Sequence, residues 1–97
     1  MMVSKPLLNG KKRNSIDIER DILEYLIMNP EGEYHTNLLF KCNLSFIQSN
    51  HYFDRMVAAG FIMKTVAGKR KIKITKTGIE RFIQLKLLEK FEINALK

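Results

Sequence analysis

Cysteine is nearly absent from this chain: of its 97 residues only Cys42 carries a thiol. No intramolecular disulfide can form, so a secreted scaffold held by disulfides is excluded. Cys42 stands among apolar and small polar neighbours and reads as a semi-buried apolar residue. Long hydrophobic runs are missing as well, which excludes a membrane-spanning helix. Met1 to Asn14 include basic residues but no apolar stretch of signal-peptide length. The expected location is the cytoplasm. There is no glycine-rich phosphate loop and no cluster with metal-ligand spacing. The histidines, His35 and His51, fall on different elements, and Cys42 has no evident activating partner. These gaps argue against an enzyme, a metal, a cofactor or a small-molecule ligand. Internal repeats and low-complexity segments are also missing.

Acidic residues are scarce: ten stand against 17 Lys and Arg, for a net charge of +7. A balance this basic points to a polyanionic partner. The excess is local. Lys5, Lys11, Lys12 and Arg13 lie in the first fourteen residues, and the 61–78 segment holds Lys64, Lys69, Arg70, Lys71, Lys73 and Lys76 with no acid. Between them, the 15–60 stretch is acidic. The length suits one domain with one core.

Residues 1–14, with Pro6, Asn9 and Gly10 and no period, read as a flexible basic arm. Asn14 or Ser15 caps a first helix in which Ile18, Ile22 and Leu26 recur every fourth residue, flanked by Leu23 and Ile27. Asn29–Pro30 ends it, and Glu31–Gly32–Glu33 makes a turn. After a brief extended Tyr34–His35, Thr36 is the expected cap of a short helix carrying Leu38, Leu39 and Phe40. Ser45 with Gln48 three residues on forms a capping box for a third helix that ends at Gly60. Phe61 to Val66 and Arg70 to Thr75 are strand-like around Ala67–Gly68–Lys69, with Ile72 and Ile74 on one face and Lys71, Lys73 and Thr75 on the other. Thr75 caps a last helix running almost to Lys97. The fold class is therefore α+β, mostly α: a winged helix-turn-helix with three helices, a hairpin wing and a long C-terminal helix. Its expected parts are the arm over 1–14, a winged-helix domain over 15–78 and a dimerisation helix over 79–97.

In the third helix Ser49, Phe53 and Met56, with Tyr52 at the margin, should face the core. Gln48, Asn50, His51 and Arg55 then point outward, the set of side chains that pairs with adenine and guanine edges in a major groove, while Ser45 reaches a phosphate. The competing reading is a solvated helix face, and Asp54 speaks against DNA. Lys69, Arg70, Lys71 and Lys73 are candidate phosphate contacts, with Arg70 the minor-groove candidate; the plainer reading is a charged edge strand. The strand period of this segment argues against a basic amphipathic membrane helix. In the last helix Ile79, Phe82 and Ile83 form the expected core stripe. Apolar residues continue beyond it on more than one face, so Leu85, Leu88, Phe91 and Leu96 are candidate contacts to a second copy.

The run Cys42–Asn43–Leu44–Ser45–Phe46, with Tyr52 in the same helix and Thr75–Lys76–Thr77–Gly78 opening the last one, resembles small dimeric winged-helix DNA-binding proteins of crenarchaea and their viruses. The resemblance extends from about Ile16 to the final helix. It implies double-stranded DNA as partner and a homodimer built by antiparallel pairing of the C-terminal helix. The terminal helix here lacks clean heptads, unlike that of the longer members. The expected function is that of a dimeric transcriptional regulator; the alternatives are an architectural chromatin-type protein that coats DNA and a winged-helix adaptor for a protein partner.

Overall fold

The computed structural model describes residues 13–66 and 70–96, with side chains as far as Lys90. In chain order the elements are α1 (Ser15–Met28), α2 (His35–Lys41), α3 (Phe46–Ala58), β1 (Ile62–Lys64), β2 (Ile72–Ile74) and α4 (Lys76–Leu96). This is the mostly helical α+β arrangement expected from the sequence.

Asn14 opens α1 with a full capping box: its side chain accepts the Asp17 amide, and the Asp17 carboxylate accepts the Asn14 amide. These bonds satisfy two donors that a helix start otherwise leaves unpaired. Ile18, Ile22, Leu23 and Leu26 follow at helical spacing and are buried in the core with Leu38, Leu39, Cys42, Leu44, Phe53, Met56, Ile62, Ile72 and Leu85. Each such aliphatic side chain contributes about 1.5–3 kcal/mol when fully buried. Burial also pushes the Cys42 thiol up to about 12, so the thiol stays protonated.

The second helix starts earlier than its sequence suggests. Tyr34, not Thr36, holds the cap position, and it makes no side-chain capping bond. The start is set by Glu33 instead, whose backbone exchanges both hydrogen bonds with Ile72. The Glu33 carboxylate also accepts the Tyr34 amide (3.1 Å) and the Tyr25 hydroxyl (2.8 Å). The Tyr25 bond holds the Glu33 carboxyl below its usual range and lifts the Tyr25 phenol above its own. A one-residue bridge thus sets a third backbone segment beside the two-stranded hairpin, in which Ile62 faces Ile74, Met63 faces Lys73 and Lys64 faces Ile72.

The C-terminal helix packs on α1, but not through the expected stripe. Gly78, Phe82 and Leu85 face inward, whereas Ile79 and Ile83 are exposed. Two contacts choose this face. Arg81 pairs with Glu19 of α1, and Gly78 lies against the Phe61 carbonyl so closely that a Cβ there would sit 2.0 Å from the oxygen. Leu85 is consequently 1% exposed in the chain's own core, which removes it from the candidate intermolecular contacts. Arg13, expected in a flexible arm, is tied down: its guanidinium pairs with Asp21 (2.9 Å) and donates to the Asn43 carbonyl (2.8 Å). The other basic residues of the arm, Lys5, Lys11 and Lys12, lie outside the described residues.

Gly78→Ala is expected to destabilise by the upper part of about 1–3 kcal/mol, through overpacking against backbone that cannot yield. Gly60, unlike Gly78, has a positive φ, of 82°, and open space around it, so Gly60→Ala should cost only about 1 kcal/mol of left-handed strain. Urea unfolding of both variants checks the order; equal losses would mean that the crossing does not constrain the fold.

Candidate nucleic-acid interface

The site begins at the turn before α3. Asn43 takes a left-handed conformation (φ 57°), which asparagine tolerates better than most residues. Ser45 then caps α3: its hydroxyl accepts the Gln48 amide at 3.1 Å, and Gln48 Oε1 accepts the Ser45 amide at 3.0 Å. Ser49, Phe53 and Met56 are buried, as the helical spacing requires, and Tyr52 is half-buried at the margin.

Of the expected outward set, Gln48, His51 and Arg55 are exposed, whereas Asn50 is half-buried at the margin of the inner face. Gln48 has its carbonyl oxygen engaged in the capping box. That bond uses one of the oxygen's two lone pairs and fixes the side chain against the helix start, so the amide NH2 is the part of Gln48 with its hydrogens left to reach outward. His51 and Arg55 form a unit: Arg55 Nη1 donates to His51 Nε2 (3.3 Å), and the guanidinium lies 5.7 Å from the centre of the Tyr52 ring. Ile47, one turn before His51 and 81% exposed, completes that row. Helical spacing places it outward, on a face whose other candidate contacts are all polar. An exposed isoleucine beside polar groups can pack against a thymine methyl.

The hairpin adjoins this helix. Lys64 Nζ lies 3.9 Å from Asp54, so the acid that argues against a polyanionic partner has a cation beside it. Arg70 is exposed, and Lys71 and Lys73 are half-buried. The Lys71 ammonium lies 5.4 Å from the centre of the Tyr34 ring, and its backbone amide donates to Thr65 Oγ1 at 2.9 Å. The Lys73 stem crosses Gly32, where a Cβ would lie 2.8 Å from Lys73 Cγ. Lys69 lies outside the described residues.

Sequence reasoning passed over His35. Its Nε2 lies 3.1 Å from Ser49 Oγ, and its ring packs edge-on against Phe53 with a centroid distance of 4.9 Å. No local pattern announces the pairing, because the partners are fourteen residues apart. Burial holds the imidazole below its ordinary value; Lys64 adds to that and Asp54 opposes it. Among the described residues no group of three or more His, Cys, Asp or Glu is placed to hold a metal ion, and no helix is long and apolar enough to cross a membrane.

Along α4, Ile79, Ile83 and Leu87 form an exposed row, with Leu88 on another face; Leu87 is 61% and Leu88 51% exposed. The side chains of Phe91 and Leu96 lie outside the described residues.

A capped helix following a short helix and a tight turn, with a hairpin beside it, defines a winged-helix protein. The chain belongs to the winged helix-turn-helix family, which it matches over residues 12–93. Its structure is similar to that of Sso10a-2, a DNA-binding protein from Sulfolobus solfataricus, with a TM-score of 0.70 at 23% identity over 87% of this chain and 86% of that one. A MarR family transcriptional regulator from Silicibacter pomeroyi is similar at a TM-score of 0.64 and 18% identity, over 81% of this chain and 57% of the regulator. MepR of S. aureus, bound to ethidium bromide, gives a TM-score of 0.65 at 14% identity, over 93% of this chain and 66% of MepR. At these identities the similarity is one of fold. Among proteins of curated function none matches the chain.

Replacing Ser45 by Ala removes one side of the capping box and should lower stability by about 1 kcal/mol. Ser45→Asp should restore most of it, since a carboxylate also accepts the amide and suits the positive helix end. Denaturation midpoints that fail to separate the two variants would mean that the box does not hold the start of α3.

Proposed function

We propose that the chain is a DNA-binding protein that acts as a homodimer and regulates transcription, with α3 in the major groove and the hairpin on the phosphate backbone. The observation that carries this reading is the outer row of α3, Ile47, His51 and Arg55, lying next to a hairpin whose Arg70, Lys71 and Lys73 have no acid in their own segment. A helix fits the major groove and reads base edges from its N-terminal turns, while cations beside it displace counterions from phosphates. Ser45, Gln48, His51 and Arg55 are the helix contacts, with Asn50 at the edge. Lys69, Arg70, Lys71 and Lys73 are the wing contacts. Sso10a-2 is described as a DNA-binding protein and the Silicibacter chain as a transcriptional regulator, which agrees with this reading of the fold.

The apolar surface of α4 supports the dimer. Ile83, Leu87 and Leu88 leave apolar surface exposed on a helix of 21 residues, and a second copy of the helix related by a two-fold axis covers it economically. Phe91 and Leu96 continue the same segment. Such an arrangement sets two recognition helices about 34 Å apart, one turn of duplex.

Fluorescence anisotropy on a short random-sequence duplex should show binding whose affinity falls steeply with salt. Arg70→Ala with Lys71→Ala should weaken binding to every sequence and reduce the salt slope by about one per lost phosphate contact. Arg55→Ala should instead relax sequence preference. No binding at low salt would overturn the reading, and a site selection that returns no motif would replace regulation with architectural coating of DNA. For the dimer, sedimentation should give twice the chain mass, and Leu87→Asp should halve it without unfolding the domain. A monomeric wild-type chain would remove the two-fold arrangement.

A further inference from the structure

His35, Lys64, Arg70 and Lys71 border a single hollow between the start of α2 and the hairpin, and Ile72 completes its wall. Three cationic side chains therefore converge on a space that no acid lines. Asp54 reaches Lys64 from α3 at 3.9 Å, and Lys71 lies over the Tyr34 ring, within electrostatic reach of the Glu33 carboxylate, which is itself bonded to Tyr25 and the Tyr34 amide. Among the described residues neither Arg70 nor Lys71 has an ion pair. Like charges gathered around a concavity repel one another until an anion enters it.

The histidine at this hollow has a defined hydrogen arrangement. Ser49 Oγ donates to the Phe46 carbonyl at 2.8 Å, so toward His35 Nε2 it acts as acceptor. Nε2 then carries the hydrogen of the neutral ring, and Nδ1 is the atom that gains a proton. Lys64 from β1 opposes charge on the ring and Asp54 from α3 favours it, while Arg70 and Lys71 from the second limb of the hairpin border the same hollow.

We propose that this hollow seats a phosphate oxyanion, and that filling it is coupled to uptake of one proton by His35. The oxyanion cancels the repulsion among Lys64, Arg70 and Lys71. It also places negative charge beside the imidazole, which favours the imidazolium. By reciprocity, a protonated His35 binds the anion more tightly, so affinity rises as pH falls through the histidine range. The anion is a backbone phosphodiester of DNA, which rests on the DNA-binding reading above, or a small phosphate ester.

The test is an NMR titration of the histidine rings in the full chain, alone, with a short duplex, and with dimethyl phosphate, which stays monoanionic throughout. The duplex should raise the His35 midpoint. In parallel, duplex affinity should increase roughly fivefold or more on acidification across the histidine range. His35→Gln should abolish that gain, whereas His51→Gln should retain it whatever it does to affinity itself. Duplex binding that leaves the His35 midpoint in place, or an acid gain lost with His51→Gln instead, overturns the inference and leaves the DNA reading standing. A midpoint moved by dimethyl phosphate without any duplex binding keeps the seat and rejects the DNA reading. If neither probe moves it, the seat does not exist.

Discussion

One backbone crossing organises this molecule: the Phe61 carbonyl fills the space a side chain at residue 78 would need. Around it the Thr75 amide donates to the same carbonyl (3.0 Å), the Thr75 hydroxyl donates to the Gly60 carbonyl, and the Gly78 amide donates to the Thr75 hydroxyl oxygen (2.9 Å). The end of α3, both strands and the start of α4 are thereby joined within a few ångströms. A helix clamped at its first turn has its rotation decided there. Every later residue of α4 inherits a facing: Leu85 inward against α1, Arg81 toward Glu19, and Ile79, Ile83 and Leu87 outward.

A second tie acts on α3. Ser49 is fully buried and polar, and a buried hydroxyl is costly unless it is bonded. It is satisfied twice, by the Phe46 carbonyl within its own helix and by His35 from α2. The two helices are thus held by a directional contact as well as by apolar packing, which fixes how far α3 can slide or roll. Arg13 adds a strut from the chain's beginning to the Asn43 carbonyl in the turn between them. The surface that α3 presents is consequently held from three sides, a rigid support of the kind recognition requires.

The elements that could be read from sequence were those specified by local chemistry. Asn14 with Asp17 and Ser45 with Gln48 cap α1 and α3 through side chains three residues away, and the alternation of Ile72 and Ile74 marks a strand. Position in the tertiary structure was harder to read. The apolar residues of α4 are spread around its whole circumference, so spacing could not tell Leu85 from Ile83, and only the contacts of Gly78 with Phe61 and of Arg81 with Glu19 separate them. The start of α2 depends on a bridge between Glu33 and Ile72, far apart in sequence. At the candidate interface the outward facing of His51 and Arg55 followed from helical geometry. The half-burial of Asn50, the engagement of Gln48 and the place of His35 depend on neighbours that no local pattern names.

The burial of Cys42 makes the native chain a reporter of its own openings. The thiol is 3% exposed and held protonated at the end of α2, next to the turn that leads into α3. Thiol reagents attack the thiolate, so labelling must wait for excursions that expose this turn. Where closing outpaces reaction, the labelling rate measures the free energy of those excursions. Because the chain has no other cysteine, the signal comes from the turn alone, and it offers a direct reading of how firmly the recognition helix is held at its root.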